Sequence, residues 1–430
     1  MIKRYFSLST RPRPRSALAV LILAAGLVLY FYYGAYKILY SHFEIVGLDF
    51  YRGCLAAANF LDGRSIYAMP GWLNPYCYFP LALLIFMPFC RLPAYEAVMA
   101  WFIICHALIL FSFVLVYKAG SCRGRLLSAA AASLAIFFSG SVYQTVQTGN
   151  VNIIIFAGLC LVYTLILRGR AAALPPLLAF FASLKIAPAA LAAVFLRKKD
   201  KGAFLAFTLS CFALAVLSVA FFGIGNNLEF LRQLPSIGRF SGLFHGTSLT
   251  FVLNIFLGGA YPGPVFAASL LFFSGLVWLW FRKAASCAPE KGDRAAAAVD
   301  LFIATVIMTL AAPSSWIMYC AFFAFPFYLI LFTVLEGGHG LKGLPLFALV
   351  FFIFSSWEIL YFHLPVPFAN LTIREIYVAR AAWPFLYPAL FSLHFLLDLA
   401  LFFWALANYK ELCRIAAGFL TGAETEKRWI

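Results

Sequence analysis

Apolar runs of membrane-spanning length recur along this chain, separated by short tracts of Arg and Lys. A helix needs about 20 apolar residues to cross a bilayer. The runs here have that length, so they read as spanning helices. The first, from about Ala17 to Tyr36, exceeds a signal-peptide core and leads into aromatic residues, not a small-residue cleavage site. It reads as a retained first transmembrane helix.

Composition agrees. The chain is 64% hydrophobic and 11% charged, against roughly 25% charged in soluble domains. Subtracting loops leaves room for about nine to twelve membrane segments. The net charge of +16 is not a nucleic-acid signal, and no nucleic-acid partner is expected. The basic residues lie between apolar runs, at the N-terminus, 118–125, 168–170, 197–201, 282–294 and the C-terminal tail. That pattern follows the positive-inside rule. It divides the chain into a cytoplasmic basic N-terminus (1–16), a transmembrane domain (17–407) and a cytoplasmic tail (408–430), with 41–78 an external loop. No internal repeat is visible. The ten cysteines are scattered without metal-ligand spacing, and buried small hydrophobes are the reading that fits them.

The segment 171–195 lies between two basic tracts. If both tracts share one side, it must enter and return, and Pro175, Pro176 and Pro188 suit broken half-helices with Lys185 near the tip; a single 25-residue span is the competing reading, and it violates the charge rule. Residues 79–90, bracketed by Pro80 and Pro88, are too short to span and read as re-entrant or interfacial. Residues 223–248 read as a long external loop after a crossing at 203–222. Phe50 to Leu61 reads as an interfacial helix with Phe50, Leu55, Ala58 and Leu61 on its apolar side.

Chemistry concentrates in a few places. Asp49 sits just outside the first helix, one of only 16 acidic residues. It is either a general base facing a cleft at the outer surface or the N-cap of the segment that follows. Lys185, within SLKIAP, is either a ligand for a lipid phosphate or a structural base paired with a carbonyl or with Asp398. Arg232, Arg239 and His245 are either fixed cations for a leaving phosphate or surface bases touching lipid headgroups. Gln147, Asn150 and Asn152, in the polar outer turn read between crossings at 126–142 and 151–167, either bind sugar hydroxyls or cap helix ends. His394 and Asp398, four apart, are either a proton relay or a satisfied polar contact. The sequence has no Gly-rich phosphate loop, no His/Cys metal cluster and no GxSxG nucleophile.

Several blocks, in order, resemble glycosyltransferase family 87, polytopic enzymes of the GT-C class. They are Asp49-Phe50-Tyr51, Gly63 to Tyr67, Tyr78-Phe79-Pro80 with Pro88 and Leu92-Pro93, Gln147 to Asn152, Lys185 to Pro188, Gly246-Thr247-Ser248, and Ser315-Trp316. The resemblance spans roughly residues 45–330. It implies an all-α GT-C-like bundle that transfers a sugar, usually mannose, from a polyprenyl-phosphate carrier to a lipid or glycan acceptor at the outer face of the cell membrane. Asp49 would be the base, with Lys185, Arg232, Arg239 and His245 on the carrier phosphate. Tyr51, Tyr78, Gln147, Asn150, Asn152 and Trp316 would bind sugar or acceptor. The leaving group is already phosphorylated, so no metal or cofactor is expected, and in-line displacement would invert the anomeric centre. The sequence departs from the family in carrying Ile317, Met318 and Tyr319 after Trp316, where the family often has His, and Asn150 where it usually has Gln. A lipid-linked-sugar flippase is the competing reading, since it needs the same outer cations but no base at Asp49. A ligase that moves a whole glycan is a further rival.

Overall fold

The computed structural model describes residues 14–37, 47–69, 76, 78–121, 123–237, 247–257, 261–287, 294–312, 317–338, 340–352 and 392–426. They form helices and connecting turns, with no strand among them. Among the described residues, six helices are long and apolar enough to cross a membrane: Arg15–Gly34, Ala94–Gly120, Lys201–Leu234, Gly263–Ser286, Arg294–Ala311 and Met318–Glu336. The pair Arg125–Phe137 and Gly140–Thr148, bent by 51°, makes a seventh if it counts as one span. Shorter apolar helices occupy Asn152–Leu167, Ala171–Leu184, Ala187–Arg197 and Leu393–Ala407. The chain is thus a polytopic helical membrane protein.

The spans divide by position. The apolar window of Lys201–Leu234 is only 11% buried and that of Gly263–Ser286 only 22%, so these helices turn most of their side chains outward, as lipid-facing spans do. The window of Arg294–Ala311 is 89% buried, and this helix forms the centre of the bundle.

Contacts gather the basic tracts at one end. Arg15 Nη1 donates to the Glu336 carbonyl at 3.2 Å, and Arg123 pairs with the Glu336 carboxylate. Arg294 Nη1 donates to the Leu167 carbonyl at 3.4 Å. Buried Asp300 accepts from Trp280 Nε1 at 3.0 Å and from the Tyr409 hydroxyl at 2.8 Å, with Arg197 Nε 4.0 Å away. The region 408–430, expected as a tail, is helical over Tyr409–Glu426. It buries Leu412, Ile415, Ala416 and Phe419.

The same contacts test the half-helix reading of 171–195. Both flanking tracts lie at the basic end, through Leu167 with Arg294 and through Arg197 with Asp300. The helix Leu174–Leu184 runs away from that end, and the 3-10 turn Ala187–Ala192 and helix Ala193–Arg197 return to it. Lys185 is the apex, with extended backbone (φ −153°, ψ 130°).

Three expectations are corrected. Residues 223–237 are not loop: helix runs from Lys201 to Ile237, broken at Gly223 (φ 75°, ψ 157°). Asn227 braces the break, donating to the Gly223 carbonyl at 2.8 Å and accepting from the Ser218 hydroxyl at 2.7 Å. The polar stretch before Gly149 is helical over Gly140–Thr148 rather than a plain turn. The helix Leu48–Leu61 buries Asp49, Phe50, Gly53, Ala56, Ala57 and Asn59, while Leu61 is exposed. Small residues win that face because Phe86 packs against it: a Cβ at Gly53 would lie 2.5 Å from the Phe86 ring.

Candidate functional site

Two glycines build the junction that carries Asp49. Gly47 begins its helix in the left-handed conformation (φ 75°), and its N–H donates to the Gln147 carbonyl at 2.7 Å. Gly149 ends the helix Gly140–Thr148 in the same conformation (φ 67°). A Cβ at Gly149 would come within 2.7 Å of Phe50 Cβ, so the two helix ends meet only with glycine there. Gly47, not Asp49, holds the N-cap position, which removes the capping alternative for Asp49. Asp49 lies in the first helical turn, where the helix dipole favours a carboxylate.

Both Asp49 oxygens have partners. Oδ1 accepts from Arg52 Nη1 at 3.1 Å, one turn along the same helix. Oδ2 accepts from Asn150 Nδ2 at 2.7 Å. The Asn150 Oδ1 accepts from the Asn152 N–H at 2.9 Å, a local turn that fixes the amide's orientation. Asn152 opens the helix Asn152–Leu167. Its Oδ1 faces Lys185 Nζ at 3.4 Å, a long and weak contact. The Lys185 ammonium lies over two rings, 4.7 Å from the centroid of Tyr319 and 5.6 Å from that of Tyr78, within cation–π range. A polar path thus runs from a carboxylate to an ammonium through two amides.

The path is enclosed. Asp49, Asn150, Asn152 and Lys185 are all buried, as are Tyr78 and Tyr319. Two donors along it have no hydrogen-bond partner among the described residues: Asn152 Nδ2 and the Tyr319 hydroxyl. A buried polar group left unpaired costs roughly 1–3 kcal/mol, so such groups mark places where something else completes the bonding.

The arginines near this end behave differently. Arg64 and Arg91 both pair with Asp62 at 2.9 Å, and their hydrogen bonds hold its carboxyl below the usual carboxylate range. Arg232 pairs with Glu229 at 3.7 Å on its own helix, with its side chain 75% exposed. It makes no hydrogen bond or ion pair to the Asp49–Lys185 cluster.

Of the other residues singled out in the sequence, Tyr78 joins the cluster. Gln147 meets it through its backbone carbonyl. Tyr51 is exposed on the helix of Asp49. Arg239, His245 and Trp316 lie outside the described residues. His394 and Asp398 are both buried on the helix Leu393–Ala407. Sequence reasoning passed over Arg52 and Tyr319. The i, i+3 spacing from Asp49 pointed to Arg52; nothing local pointed to Tyr319, whose approach to Lys185 is tertiary.

Helices without strands among the described residues, six of them of membrane-spanning length, and a buried carboxylate–amide–lysine path at the end opposite the basic tracts define a polytopic membrane protein with an active-site candidate between helix ends. The profile of Glycosyltransferase family 87 matches residues 76–313, more than half of the chain, and the chain belongs to that family. It is a membrane glycosyltransferase. The match takes in Tyr78, Gln147, Asn150, Asn152 and Lys185; Asp49 and Trp316 lie outside it. No curated protein and no solved structure matches the chain.

Proposed function

We propose that this glycosyltransferase takes a hexose, mannose or a similar sugar, from a polyprenyl-phosphate carrier and passes it to a lipid or glycan acceptor, with Asp49 as general base. One contrast carries the reading. Arg52, Arg64, Arg91 and Arg232 each have a carboxylate within 4.0 Å, whereas buried Lys185 has none among the described residues. Burying an ammonium costs several kcal/mol, and two rings with one long contact repay only part of it. An anionic substrate group would supply the missing charge, and the phosphate of a lipid carrier is such a group in a membrane-embedded site.

In this reading the acceptor hydroxyl oxygen attacks the anomeric carbon and its proton passes to the Asp49 carboxylate. The bond from that carbon to the phosphate oxygen breaks, and the carrier phosphate leaves with the electron pair, held by Lys185. Attack opposite the leaving group inverts the anomeric centre. Asn150 holds the base, and Arg52 steadies its other oxygen. By the positive-inside rule, the end that carries Asp49 faces outward from the cell membrane.

The test is sugar transfer by the purified protein in lipid, with a panel of labelled polyprenyl-phosphate sugars and a lipid or glycan acceptor extract. Asp49→Asn should cut turnover by about 10²–10⁴-fold while donor binding persists, the range a general base supplies. Donor binding without transfer by either protein would favour a carrier or flippase and sink the proposal.

A further inference from the structure

We infer that the Asn152 side-chain amide and the Tyr319 hydroxyl complete, with the Lys185 ammonium, a cradle for the phosphate of a lipid-linked donor. The inference rests on the donor class proposed above and names the groups that recognise its charge. Three elements meet there: the start of the helix Asn152–Leu167, the apex between the half-helices, and the 3-10 segment Ile317–Phe323. That segment is seated against its neighbours, since the Thr148 hydroxyl lies 3.4 Å from Met318 Sδ.

The donor set is one-sided. Lys185 offers three N–H groups and has one acceptor among the described residues, Asn152 Oδ1, at 3.4 Å. Asn152 Nδ2 and the Tyr319 hydroxyl are fully buried and have no partner among the described residues. No carboxylate lies within ion-pair distance of Lys185 among those residues. Donors in excess of acceptors around a buried cation match a group with several anionic oxygens and no protons, which is a phosphate ester. Water satisfies hydrogen bonds but not the charge. Asp49 does not fill the place either, because both its oxygens are held by Arg52 and Asn150. The cradle lies at the far end of the path from Asp49.

Tyr319→Phe tests this cleanly, because it keeps the ring over Lys185 and removes only the hydroxyl. Farnesyl phosphate binding would be titrated by calorimetry into protein in phosphatidylcholine nanodiscs, with farnesol as the neutral control. Wild type should bind the phosphate and not the alcohol. Tyr319→Phe should bind about tenfold more weakly, the loss of one hydrogen bond to a charged group, with an unchanged thermal unfolding midpoint. Asn152→Ala should weaken binding at least as much. Equal affinity in wild type and Tyr319→Phe would overturn the cradle and leave the proposed reaction standing. No preference for the phosphate over farnesol in wild type would overturn both. If phosphatidylglycerol in the disc, or inorganic phosphate at matched concentration, abolished farnesyl phosphate binding, the anion would be a headgroup or free phosphate, and the carrier assignment would fall.

Discussion

Asn150 illustrates how much one amide can decide. Its two polar ends are both committed, Nδ2 to Asp49 and Oδ1 to the Asn152 N–H. In the sequence it reads as a sugar ligand or a helix-end residue; the fold gives it a positioning contact to the proposed base. Asn150→Ala should therefore lower kcat by about 10- to 100-fold, the cost of one buried bond to a charged group, with KM for the donor changed little. Steady-state kinetics separate the two. A rise in KM at constant kcat would mean that Asn150 binds substrate instead. The link spans 101 positions, so no local pattern announces it. The contact between Arg52 and Asp49 is different, because one helical turn of sequence already brings them together.

The helix Leu48–Leu61 is held by close approach more than by greasy bulk. Gly53 lets the Phe86 ring lie against its backbone, and Phe50 stacks on Trp101 with centroids 5.2 Å apart. Gly53→Ala should cost about 1–3 kcal/mol of stability, the range for overpacking. It should also reduce transfer, because Asp49 sits one turn away on the same helix. Thermal unfolding in detergent and the transfer assay would both report it; full activity with an unshifted midpoint would mean that Phe86 moves aside freely. The periodic apolar pattern located this helix but misjudged its inner face. Burial there follows what fits against Phe86 and which polar groups find partners: Asn59 is buried because it donates to the Ala68 carbonyl at 2.9 Å.

Across the whole molecule, the two ends of the bundle do different work. At the basic end, Asp300 ties Trp280, Tyr409 and Arg197 together and so joins four separate helices. Asp300→Ala should destabilise the protein by about 3–5 kcal/mol, because it leaves Arg197 without its countercharge. Tyr409→Phe should cost only about 1 kcal/mol. Denaturant unfolding in mixed micelles would rank them; equal effects would show that the carboxylate contributes no more than a single hydrogen bond. Neither change should affect donor binding at the far end.

The sequence alone determined that the chain is helical and that it sits in a membrane; it set a turn between half-helices at Lys185 against a single 25-residue span, and the contacts at the basic end decided for the turn. Those conclusions follow from hydropathy and from the placement of basic tracts, which are local properties with large energies behind them. Asp49 and Lys185 stood out for the same reason, as charges set against an apolar background. The tertiary structure alone decided that Asn150 and Asn152 join them, that Tyr319 covers the lysine, and that Arg232 turns away to Glu229. Those outcomes depend on which helix ends meet, and helix ends meet where small residues let backbones approach. Side-chain partners across such a junction are chosen by geometry that no stretch of sequence contains.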